Sequence, residues 1–371
     1  MKIVVNRKSL LDALRFGGMV AGKNRSIPIL DTCKVSVKGD KMVVTSTDTE
    51  VTMAKKVGVI SSDVEHGDFC VVPSDLMAIL ATLRQEEVEL EVDDNTCILN
   101  HARGSATVAA LPAIDFPTPI PTENKVSFSM DAQRLAEWLN SSKNFVATSE
   151  LRPVLTGMLL SVTDGEVFAC ASDSTKLYMD GYKDTTFYGM NHSVIIPSKA
   201  FSYANNMLSG YNSVTVQADD NSVSFLVHDA KISTRLIVGA YPKVRELLPK
   251  TFPTCVELNT ADFKDSISRM KLFADQKSKL MELSFSEDGV TMKSADILSN
   301  KSCEDSCDVL AYDGGPIEVC AKTENLDIIL SKIESETVML GMSTPKSPIV
   351  IYEAYNKEKI LFTMPLLKPQ S

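Results

Sequence analysis

Apolar and polar residues alternate through most of this chain, and stretches of helical period interrupt the alternation at regular distances. "VELEVDDNTCIL" from Val88 and "VTVQADDNSVSF" from Val214 both alternate around an Asp-Asp-Asn triplet. Period-two alternation bounded by such residues predicts β-hairpins. "DKMVVTSTD" ending at Asp48, "GEVFACASD" at Asp173 and "GVTMKSAD" at Asp296 predict further strands. Each is entered through a Gly-containing turn: Gly39-Asp40, Asp164-Gly165 and Asp288-Gly289. "IVVNRKSLLDAL", "FSMDAQRLAEWL" and "ELNTADFKDSI" each read as a short strand followed by an amphipathic helix. Helices are predicted near 8–16, 74–84, 131–142, 198–208, 260–273 and 323–334.

The elements repeat. Pro73 in "VVPSDLMAIL" and Pro197 in "VIIPSKAFSY" are 124 residues apart, and Ala321 in the weaker copy "EVCAKTENLDIIL" lies 124 further on. The Asp-Asp-Asn triplets are 126 apart, and Phe116-Pro117 and Tyr241-Pro242 are 125 apart. Self-similarity at one long period predicts three tandem α+β domains, residues 1–122, 123–252 and 253–371. Both boundaries fall in Pro-bearing stretches, "FPTPIPTENK" and "LPKTFPT". Each domain reads as two similar halves of strand, helix and strands. A triplicated generic domain without shared geometry is the alternative.

Composition narrows the function classes. Apolar content of 44% and charged content of 23% are those of an ordinary globular chain. The net charge of −10 requires any nucleic-acid contact to rest on a local basic surface. The predicted helices supply one with Lys8, Arg15, Arg84, Arg134, Lys143, Lys199, Lys264, Arg269, Lys271 and Lys332, while strand segments such as "QEEVELEVDD" are acidic. That segregation suits phosphate contact without sequence readout; an ordinary solvated helix face is the alternative. No apolar run reaches the length of a membrane span. The opening "MKIVVNRKSLLDAL" breaks into charge too early for a signal peptide, so a cytoplasmic location is expected. The eight cysteines are then expected as reduced thiols.

Catalytic motifs fail one by one. "GGMVAGKN" from Gly17 resembles a phosphate-cradling loop, but a helical pattern precedes it, Asn24 replaces the hydroxyl residue and Pro28 follows. A helix end and a loop are expected there. His66, His101, His192 and His228 sit in no metalloprotease or nucleophile-elbow pattern. Cys303 and Cys307 have no second pair with zinc spacing. Asp48, Asp173 and Asp296 recur once per repeat, which fits strand-end residues accepting backbone N–H groups better than catalytic acids. No catalytic residue, cofactor or metal is expected.

One family accounts for these features. "IPILDTCKV", "STDTEVTM", "ALPAIDFP", "LRPVLTGMLL", "ASDSTKLYM", "HSVIIPSKAF", "YPKVRELLPK" and "TMPLL" occur in the order and spacing of the bacterial DNA polymerase III β subunit, the sliding clamp. The resemblance spans essentially the whole chain. It implies three clamp-fold domains per chain and a head-to-tail dimeric ring, with helices lining the hole and β-sheets outside. It implies a non-catalytic DNA replication factor that confers processivity by encircling duplex DNA without sequence specificity.

The implied partners are the polymerase III α subunit, the clamp loader and repair polymerases, held through linear peptides. Their implied cleft lies between domains two and three: Leu155, Ser172, Ser174, Thr175, Lys176, Leu177, Pro242, Leu247, Phe362, Thr363, Met364, Pro365 and Leu366. The implied DNA contacts are Lys23, Arg25, Arg84, Arg134, Lys143, Arg152 and Lys199, and the implied homodimer contacts are Ala106 and Val108 against Leu272 and Phe273.

The chain departs from the family where Ser174-Thr175-Lys176 replaces the usual Gly-His-Arg, and where "LLKPQS" extends past the usual ending. An Arg fork becomes a point charge there, which alters peptide preference. Two other classes stay open at this stage: an interaction scaffold that does not encircle DNA, and an enzyme of unrecognised type.

Overall fold

The computed structural model describes residues 1–22, 27–121, 125–249 and 251–366. Six α-helices occur among them: α1 (Arg7–Gly18), α2 (Pro73–Thr82), α3 (Ala132–Ser142), α4 (Phe201–Leu208), α5 (Thr260–Phe273) and α6 (Thr323–Leu330). Each lies where the apolar period predicts one. α6 stops four residues short of the expectation, and a 3-10 turn (Ser198–Ala200) leads into α4. No described helix is long and apolar enough to cross a membrane.

Equivalent residues start the first helix of each repeat. The Asn6 side chain accepts the N–H groups of Lys8 and Ser9, and Asn259 those of Ala261 and Asp262. The Asp131 side chain accepts the Arg134 N–H at 2.7 Å. These caps satisfy donors that the first helical turn leaves orphaned.

The chain divides into two compact units, residues 1–139 with 199–237, and residues 140–198 with 238–371. In the first, twelve strands form one antiparallel sheet. Lys2–Asn6 pairs both with Glu87–Val92 and with Val51–Ser62, so the first eight strands close on themselves. Leu10, Ala13, Leu14 and Gly17 of α1 face the buried residues Val35, Val44, Leu90 and Leu99 of that sheet, and α2 packs on α1. A Cβ on Gly17 would lie 2.7 Å from the Cys33 Sγ, so this glycine lets α1 approach its sheet. It sits at a helix end, as its surroundings in the sequence predict; Lys23 and Asn24 lie outside the described residues.

In the second unit a nine-stranded sheet runs from Asn191–Pro197 to Val309–Asp313, and a separate four-stranded sheet carries α5. The hairpin from Gly157–Thr163 to Glu166–Ser172 turns on Asp164 (φ 46°) and Gly165 (φ 84°), a turn whose twist matches that of the flanking strands. The third Gly-containing hairpin turns on Glu287 and Asp288, one residue before the expected pair, because Ser286 and Gly289 already face each other across the strands. All eight cysteines are free thiols.

Compact units and sequence repeats partition the chain differently. Ala230–Arg235, from the second repeat, pairs with Val51–Lys55 of the first. Lys176–Met179, also from the second, pairs with Ile360–Thr363 of the third. Shared ladders bind neighbouring repeats, so compactness alone groups half of the middle repeat with each side.

Candidate functional site

The three recurring aspartates close strand ends, as their repetition suggests. Asp48 accepts the N–H groups of Glu50 and Val51, Asp173 those of Thr175 and Lys176, and Asp296 that of Ser299. Thr49 and Ser174 both adopt φ 76° beneath this motif. Asp93 and Asp219 of the Asp-Asp-Asn triplets repeat the geometry.

Around Asp173 the turn becomes a polar node. Burial pushes its carboxyl pKa up, but the Lys176 ammonium and the two backbone N–H groups outweigh burial and hold it below the usual carboxylate range. The Lys176–Asp173 ion pair is largely enclosed, with the side chains 10% and 20% exposed. Ser172 Oγ donates to the Lys176 carbonyl at 2.8 Å and accepts the Ser174 N–H at 3.1 Å.

The strand Asn356–Thr363 lies against this hairpin, with Lys176 opposite Thr363 and Leu177 opposite Phe362. The Met364 N–H donates to the Thr175 carbonyl at 2.8 Å. Asn325 of α6, buried, donates to Thr175 Oγ1 at 3.3 Å and Thr363 Oγ1 at 3.2 Å. Hairpin turn, strand end and helix are therefore tied at one point.

An apolar cluster continues below it. Leu177 and Phe362 pack with Cys170, Met179, Val244 and Val350, and the connecting segment adds Tyr241, Leu248 and Phe252. Arg245 pins this segment: its guanidinium reaches both Glu166 carboxylate oxygens, at 2.8 and 2.6 Å, and lies 4.3 Å from the Phe168 ring centroid. The Arg245 hydrogen bonds hold the Glu166 carboxyl below its usual pKa.

The thirteen cleft residues sort by access. Of the residues expected there, Leu155, Ser172, Lys176, Leu177, Phe362 and Thr363 are buried. Ser174, Pro242, Leu247 and Met364 are exposed, while Thr175, Pro365 and Leu366 are half-buried. Sequence reading missed Asn325 and Arg245. The signal for Asn325 was a poor helix former inside a helix; Arg245 gave none, because its partner Glu166 lies 79 residues away.

The basic residues are only partly available. Arg84, Lys143 and Arg152 are exposed, and Arg134 lies 5.7 Å from the Trp138 ring. Lys199, expected at the DNA surface, is 46% exposed and paired: its ammonium sits 2.8 Å from Asp48 and 2.5 Å from Glu50. Burial disfavours its charge, but these carboxylates reverse that and raise its pKa. Arg269 and Lys271 are likewise paired, with Asp305 and Asp327. Lys23 and Arg25 lie outside the described residues.

Ala106 and Val108 alternate with exposed residues on the strand Gly104–Pro112. Its first six residues pair with Thr96–His101 on one side and have no strand on the other among the described residues. Leu272, 75% exposed, and half-buried Phe273 end α5. The neighbouring strand Lys301–Cys307 is the edge of its four-stranded sheet.

Residues 1–120, 129–243 and 245–366 match, in order, the N-terminal, central and C-terminal domains of the DNA polymerase III beta subunit. The chain is 24% identical over 368 residues to the beta sliding clamp of Pseudomonas aeruginosa, covering 99% of this chain and 100% of that protein. Its similarity to the beta sliding clamp of Escherichia coli K12 has the same identity and coverage. Among solved structures, the DNA polymerase III subunit beta of Pseudomonas aeruginosa superposes with a TM-score of 0.93 at 23% identity, over 99% of this chain and all of that one. The sliding clamp of Bacillus subtilis gives 0.91 at 20% identity, over the whole of both chains. Three consecutive domain matches over nearly the full length, on the matching fold, mean that this chain belongs to the DNA polymerase III beta subunit family.

Proposed function

We propose that this protein is a DNA polymerase processivity factor, a sliding clamp that encircles duplex DNA and tethers the replicative polymerase. The carrying observation is the unbroken series of N-terminal, central and C-terminal domain matches along one chain. Three clamp domains, near residues 1–122, 123–252 and 253–371, would form half of a ring, and a head-to-tail contact that closes after two copies completes it. The open strand edge at Ala106 and Val108 and the α5 end at Leu272 and Phe273 are the surfaces for that contact. Arg84, Arg134, Lys143 and Arg152 would meet phosphates through screened contacts that permit sliding. Lys199 contributes little while its charge is compensated internally. Processivity then comes from topology, and any polymerase activity belongs to the partner.

The partner site is the surface formed by Ser174, Thr175, Pro242, Leu247 and Met364 over its buried apolar floor. A concave apolar site with few polar groups suits a short linear peptide, such as segments of the polymerase α subunit, clamp loader and repair polymerases. Lys176 is committed to Asp173, so this site selects apolar side chains rather than acidic ones. Replication of a bacterial chromosome puts the protein in the cytoplasm.

The test is retention on DNA of two topologies. The protein is loaded on nicked circular plasmid with the cognate clamp loader and ATP, half is linearised, and both are gel-filtered. Retention on circles with loss from linear DNA is expected. Equal retention on both means adhesion and refutes encirclement.

A further inference from the structure

The 3-10 turn Val244–Leu247 carries Leu247 to the partner site. Val244 is buried in the apolar cluster, yet Leu247 is exposed. Three residues make one revolution of such a turn, so residues three apart share a side. Arg245 and Leu248 accordingly line one groove together, and Leu247 stands about a third of a revolution away from them.

That groove, of about 360 Å³, lies between the turn and the sheet residues Phe168, Met179 and Ile360. Close packing therefore does not set the roll of the turn on this side. The Lys243–Glu246 ion pair does not set it either, because both partners belong to the segment and are exposed. Arg245 reaches out of the turn. Its guanidinium spans both carboxylate oxygens of Glu166, at 2.8 and 2.6 Å, and lies 4.3 Å from the centre of the Phe168 ring. A two-point fork laid over a ring fixes a direction, which a point charge does not. Each partner favours the charge of the other, lowering the Glu166 pKa and raising that of Arg245.

Resting on the peptide-site reading above, we propose that Arg245 is a positioning residue for the partner site: its fork on Glu166 sets the roll of the 3-10 turn and thereby the direction in which Leu247 meets a bound peptide. The guanidinium is occupied by Glu166 and Phe168, so its contribution to binding is made through Leu247 and not by contact with the peptide. Without the fork the turn is free to roll toward the groove and carry Leu247 away from the site. Val244 stays anchored in the apolar cluster, so the effect falls on the residues that follow it.

The test is a double-mutant cycle read by fluorescence polarisation with a labelled synthetic segment of the cognate polymerase. Arg245→Met keeps an unbranched stem over Phe168 and removes the fork. It should weaken binding about three- to tenfold, and by no more than Leu247→Ala does. With Leu247→Ala already present, the same change should move the Kd by less than about twofold. Glu166→Gln should weaken binding in the same direction from the sheet side. Arg245→Lys, which keeps the charge without the fork, should recover only part of the loss. Thermal melting of each variant confirms that binding is measured on folded protein. An Arg245→Met effect that persists undiminished beside Leu247→Ala means direct contact or general disruption, and overturns the proposal. A Kd unchanged by Arg245→Met but raised by Leu247→Ala overturns it while leaving the peptide site standing. No effect of either variant overturns both.

Discussion

Leu247 gives the most direct test of the peptide site. Its side chain is 56% exposed, although it sits beside Val244 and Leu248, which pack into the apolar cluster with Leu177 and Phe362. Full burial of a leucine side chain is worth about 1.5–3 kcal/mol. A bound peptide can therefore claim only the remaining half, about 1–1.5 kcal/mol. Leu247→Ala should weaken binding about five- to twelvefold, since 1.4 kcal/mol is a factor of ten. Its melting temperature should hardly change.

Phe362→Ala is the contrasting variant. That ring is 2% exposed and stands opposite Leu177. Its loss should cost about 3–5 kcal/mol of stability and appear mainly as a lower melting temperature. The assay is fluorescence polarisation with a labelled peptide from the clamp-binding segment of the cognate polymerase, paired with calorimetry. If Leu247→Ala leaves the Kd within twofold of the unsubstituted protein, the peptide does not cover this face and the site is misassigned.

The remaining predictions concern the supports of the site and the first unit. Asp173→Asn should destabilise the second unit by about 3–5 kcal/mol near neutral pH, because it leaves the enclosed Lys176 charge without its partner. Asp173 has a depressed folded pKa, so its contribution is present above the unfolded value, about 3.9, and is lost as pH falls through the folded value. Urea titrations should therefore find the two proteins converging in stability below about pH 4; a gap independent of pH would exclude the ion pair as its cause. Gly17→Ala should destabilise by about 1–3 kcal/mol, because its Cβ would meet the Cys33 Sγ at 2.7 Å. Adding Cys33→Ala should give a total loss smaller than the two single losses combined, and strict additivity in denaturant titrations would show that the contact is not the cause.

The sequence determined, without coordinates, what depends on local chemistry and on repetition. Alternation located the strands, and helical period located six helices. The triplicated aspartates were legible as turn residues, because an Asx turn is completed within three positions of itself. Family resemblance extended this to the candidate cleft.

Tertiary structure decided everything that depends on which distant segments meet. It divided the residues expected at the cleft into buried and exposed ones, which a list of apolar residues cannot do. It brought Asn325 to Thr175 and Arg245 to Glu166 across long sequence separations. It also neutralised Lys199 with Asp48 and Glu50, a pairing invisible while the helix was read alone. Among the described residues, it left the first six residues of Gly104–Pro112 paired with a strand on one side only, which strand order reveals. The reason is physical: caps, turns and periodicities are satisfied within a few residues, whereas burial, ion pairing and edge exposure are set by neighbours that the chain reaches only after folding.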